Sequence, residues 1–60
     1  MINLQDELAK LIEEKTRMIE YLRLKTEKGD WHGVADAAMD LREVDAKLDL
    51  TRDFINDADN

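Results

Sequence analysis

Apolar residues recur along this chain at helical steps, first over Leu4, Leu8, Leu11, Met18 and Leu22, and after a break over Val34, Ala37, Ala38, Leu41, Val44, Leu48, Thr51 and Ile55. Such spacing marks one face of an α-helix rather than the strict alternation of a strand. Ile12 and Ile19 widen the first stripe. The break between the stripes is Gly29-Asp30, in a chain that has two glycines and no proline.

The residues around the break have the chemistry of helix ends. Lys25 and Lys28 suit the negative pole of a first helix, and Gly29 can take the left-handed conformation that ends it. Asp30 reads as the N-cap of a second helix beginning at Trp31, as Asn3 does for the first, with Asp6 completing a weak capping box. The spacing predicts helices over about 3–28 and 31–57, each about 39 Å long at 1.5 Å per residue. Residues 58–60 are expected to fray, because Asp57 and Asp59 sit at the wrong pole of the dipole. A two-residue link makes the helices antiparallel neighbours. The chain therefore reads as all-α, a single helical hairpin.

A hairpin register has a simple arithmetic. With the turn at Gly29-Asp30, facing residues have numbers summing to about 60 in an antiparallel pair. Leu4 then lies near Ile55, Leu11 near Leu48, Met18 near Leu41 and Leu22 near Ala38, apolar opposite apolar. Two polar residues, Lys15 and Asp45, interrupt the stripes at matching positions, and a buried ion pair at mid-hairpin is expected. Snorkelling of both side chains to water is the alternative.

Not all the apolar residues fit one seam. Ala35, Met39, Ala46, Leu50 and Phe54 form a further line on the opposite side of the second helix, and Tyr21 and Leu24 lie off the main stripe of the first. One partner helix cannot cover two lines. Two hairpins dimerising into a four-helix bundle would be the simplest completion, with those five residues as the oligomer interface.

Composition supports this. Sixty residues bury a small fraction of their surface, and chains of this size usually need a disulfide, a metal or a partner copy. There is no cysteine and one histidine, which excludes disulfides and thiolate zinc sites within the chain and leaves self-association. Lack of cysteine fits a reducing cytoplasm. No run approaches the roughly 18 apolar residues of a membrane span, and no basic-then-apolar leader is evident. The net charge of −6 is uneven. Residues 1–29 balance six acids with six bases, whereas residues 30–60 carry nine acids and three bases. The acidic second half disfavours nonspecific nucleic-acid binding.

Gly29-Asp30-Trp31-His32-Gly33 is the most distinctive segment. Trp31 and His32 form a candidate recognition tip. The simpler expectation is that Trp31 plugs the open end of the bundle and Gly33 makes room for it. His32 and Asp36, four apart, share a helix face, more simply a surface pair than metal ligands. No phosphate-binding glycine loop, serine–histidine–acid set or cysteine nucleophile is present, so no enzyme activity and no cofactor are expected.

Three resemblances bear on function. Asp40 and Glu43 have the acid-x-x-acid spacing of the second motif of the all-α nucleotide pyrophosphohydrolases of the MazG type. Together with Asp36, Glu13, Glu14 and Glu20, they are similar to the carboxylates with which that family holds magnesium. The first motif departs, because Arg17 stands where a third acid is needed, and the chain is much shorter. In length, near-central turn and acidic tail the chain resembles the Rop-like plasmid proteins, dimeric hairpins that bind RNA through their first helices. Here the six cations of helix 1 are interleaved with acids, which looks more like i,i+4 pairing than a phosphate track. The run GDWHGVADAAMDLRE at 29–43 is similar to segments of small uncharacterised bacteriophage helical-hairpin proteins, which by itself implies no activity, although phages carry many short helical proteins that bind and inhibit host components. The function expected first is thus a non-enzymatic, homo-oligomeric hairpin of the bacterial cytoplasm that binds a macromolecular partner, most simply a protein, as a phage-encoded regulator or inhibitor. A Rop-like RNA-binding regulator is second, and a magnesium-dependent nucleotide pyrophosphohydrolase third.

Overall fold

The computed structural model describes residues 3–59. It contains two helices, α1 (Leu4–Glu27) and α2 (Trp31–Asp59), packed side by side as an antiparallel hairpin 46 Å long and about 16 Å across. Among the described residues there is no strand, and no helix is long and apolar enough to cross a membrane.

Both helix starts are capped by the expected side chains. Asn3 Oδ1 accepts from the N–H of Gln5 at 2.9 Å, and Asp30 Oδ1 accepts from the N–H of Gly33 at 3.0 Å. These bonds satisfy N–H groups that have no partner within the helix. The end of α1 is a Schellman turn. Gly29 takes φ +70°, its N–H donates to the Thr26 carbonyl, and the Asp30 N–H donates to the Lys25 carbonyl at 2.9 Å. The linker is thus Lys28-Gly29-Asp30, one residue longer than expected. At its far end α2 stays helical through Asp59, two residues beyond the expected limit, since extending a formed helix adds a hydrogen bond for each residue fixed. Asn60, the last of the residues expected to fray, lies outside the described residues.

The seam is narrow. Leu11, Val44 and Leu48 form its buried centre, with Leu8 and Met18 packed against it, and Ala37 is buried nearer the turn. Small Ala37 and Ala38 let the helices approach at that end. Thr51 sits half-buried in the α2 stripe with its hydroxyl donating to the Lys47 carbonyl at 2.7 Å. Two cylinders touch along one line each, so much of the first stripe stays partly open: Leu4, Ile12 and Ile19 are exposed.

Candidate functional site

The turn end is the most elaborately bonded part of the molecule, and Lys25 is its centre. Its ammonium lies 3.3 Å from Asp30 Oδ2 and 5.2 Å from the centre of the Tyr21 ring. Its alkyl stem lies against Gly33. A Cβ at position 33 would stand 2.9 Å from Lys25 Cδ and 3.0 Å from Asp30 Oδ2. Gly33 is therefore buried beneath the Lys25–Asp30 clasp, and the residue it makes room for is Lys25, not Trp31. Asp30 is held below the usual carboxylate range, first by the Gly33 N–H and then by Lys25. Lys25 is raised above the ordinary lysine value, chiefly by its bond to Asp30.

Trp31 does not plug the hairpin. It is 67% exposed, because the first position of α2 points its side chain away from α1 while the Lys25 clasp closes the end of the seam. Beside it, His32 Nε2 lies 3.5 Å from Asp36 Oδ2, both side chains largely in solvent. An indole this exposed beside a capped turn is open to contact by a partner.

The line Ala35, Met39, Ala46, Leu50 and Phe54 is exposed throughout, Met39 at 63%. At about 100° per residue it lies roughly 160° around α2 from Ala37, Val44 and Leu48, directly away from α1. A shallow depression of about 320 Å³ opens on it, lined by Met39, Arg42, Glu43 and Ala46. On the flank of the hairpin, a larger open groove of about 520 Å³ is lined by Arg17, Met18 and Tyr21 from α1 and by Asp36, Ala37 and Asp40 from α2.

Lys15 and Asp45 meet across the seam, Nζ to Oδ1, at 2.6 Å, with side chains 38% and 52% exposed. The pair is not buried. Both residues sit at the edge of the contact line, where lysine can reach water while its stem covers apolar surface.

Of the six cations in residues 1–29, three are engaged: Lys15 with Asp45, Lys25 with Asp30, and Arg23 with both Glu20 and Glu27 at 2.6 Å each. Arg23 is raised and Glu20 lowered in pKa by their mutual hydrogen bond and attraction. Such pairing leaves no continuous basic track along α1. Among the described residues, no three acidic or histidine side chains converge closely enough to hold a metal ion. Asp36 and Asp40 share the flank groove, with Arg17 as its cation. No protein-family profile, curated protein or solved structure matches the chain.

Proposed function

We propose that this chain is a non-enzymatic, self-associating helical hairpin that acts by binding a protein partner through the Trp31–His32 tip, in the manner of a phage-encoded regulator or inhibitor in a bacterial cytoplasm. The observation that carries the reading is the 67% exposure of Trp31 beside a turn closed by the Lys25–Asp30 pair. A tryptophan contributes the largest apolar contact area of any side chain, and interface hot spots are enriched in it. The exposed α2 line supports the self-association half of the reading, with two hairpins contributing four helices.

Tagged wild-type and Trp31→Ala chains, immobilised side by side in host lysate, test it. A protein retained by the wild type and lost from Trp31→Ala, with helix content unchanged, is the expected result. Equal capture by both would overturn the role of the tip. A structured-RNA shift that weakens steeply with salt would move the reading to the Rop-like alternative, carried by Lys10, Arg17 and Lys28. Nucleotide turnover that requires magnesium would move it to the hydrolase.

A further inference from the structure

Resting on the self-association reading above, we infer that the second copy docks on the outer face of α2, antiparallel, with facing residue numbers summing to about 90. The occupant is argued from the shape and charge of that face. Counting from opposite ends, Leu50 of the second copy falls beside Met39, at the depression that Met39, Arg42, Glu43 and Ala46 line, and its Phe54 falls at the level of Ala35 and Asp36. A parallel arrangement would instead set Phe54 on Phe54 and Ala35 on Ala35, crowded at one end and hollow at the other, with the helix dipoles aligned.

Charges flanking the line give the second observation. Arg42 and Asp49 lie on one side of it, Glu43 and Lys47 on the other. Within one hairpin, no ion pair among the described residues uses any of the four. A two-fold axis perpendicular to α2 brings like sides together. In the register found from the apolar residues, Arg42 meets Asp49 of the second copy and Glu43 meets its Lys47, each twice by symmetry. The same register thus pairs all four of these charges. The α2 helices then lie at the centre with each α1 outermost, a four-helix layer rather than a square bundle. The two Trp31 tips point to opposite ends, about 42 Å apart at 1.5 Å per residue.

The chain has no cysteine, so single substitutions report the register cleanly. Position 46 lies about 3 Å along the axis from its own copy, whereas position 35 lies about 30 Å away, well beyond disulfide reach. Ala46→Cys should cross-link to itself under mild oxidation and Ala35→Cys should not. Cross-linking of both would establish a parallel pair and overturn the proposal. Cross-linking of neither, in a chain that sediments as a dimer, would place the interface elsewhere. A chain that sediments as a monomer at high micromolar concentration would remove self-association itself, a separate failure. As a second measure, Arg42→Glu should raise the dimer dissociation constant at least tenfold by facing Asp49 twice. Arg42→Glu with Asp49→Arg should restore it. A double variant no tighter than the single one would refute the pairing.

Discussion

The exposure of the Lys15–Asp45 pair converts into a measurable energy. A fully buried pair loses about 3–5 kcal/mol when one partner is removed, because the other charge is stranded. With side chains 38% and 52% exposed, the stranded partner here can turn to water. Its coupling should therefore fall in the range of exposed pairs, about 0.2–1 kcal/mol, despite the 2.6 Å contact. The perturbation is a double-mutant cycle of Lys15→Met and Asp45→Leu, read by urea unfolding with the linear extrapolation. Lys15→Met alone should be near neutral or slightly stabilising, since its stem already lies along the apolar seam. Raising the salt concentration should shrink the coupling further. A coupling of 3 kcal/mol or more would refute the reasoning. It would also show that something covers the pair, and the flank carrying Ile12 and Ile19 is what a square bundle would bury. The cycle thus separates a flank-to-flank assembly from one built on the outer face of α2.

Three further outcomes follow from the turn. Gly33→Ala should destabilise by about 1 kcal/mol, as overpacking against the Lys25 stem outweighs the gain in helix propensity; with Lys25→Ala added the same change should stabilise, and thermal melts of the four variants check the reversal. Asp30 has a depressed folded pKa, so its contribution is present above the unfolded value near 3.9 and is lost as pH falls through the lower folded one. Asp30→Asn keeps a capping oxygen and removes that titration, so its melting temperature should fall less steeply than that of the wild type below about pH 4. Trp31→Ala should change unfolding free energy by less than about 0.5 kcal/mol, the usual range for exposed sites, whereas a loss of several kcal/mol would show that the indole is buried in the working assembly.

The elements of this fold were legible in the sequence because each rests on local chemistry. Asn3 and Asp30 cap helices since their oxygens reach N–H groups two or three residues on, and Gly29 ends α1 because φ +70° suits a residue without a Cβ. The register was legible too, since a short turn fixes which residues face each other, and Leu11 with Leu48 forms the buried centre. Burial was the part that local pattern could not supply. Lys15 and Asp45 interrupt a stripe on the wheel, yet whether a stripe residue is enclosed depends on how many helices surround it. Gly33 was hard to read for a related reason. An aromatic beside a glycine suggests that one makes room for the other, whereas Lys25 reaches Gly33 from α1, a contact that no helix wheel displays. The length of lysine and its appetite for Asp30 were the available signals.

A two-helix hairpin leaves each helix half-solvated, and this chain divides the remaining surface unequally. α1 sets the Glu20–Arg23–Glu27 charges on its outer side, where hydration is lost if another helix packs on them, beside the less exposed Tyr21 and Leu24. α2 turns outward Met39, Leu50 and Phe54, whose exposure is unfavourable and is relieved by any apolar cover. Under the proposed pairing, copies would meet through α2 and keep α1 outside. The two proposed tasks would share one helix. The first residue of α2 carries the indole, one turn before Ala35 where the apolar line begins. Loss of capture with the dimer intact, or loss of the dimer with each hairpin still helical, would be the signature of separate surfaces. If every substitution on α2 abolished both together, the tip and the line would be one surface, and the partner would compete with the second copy for it.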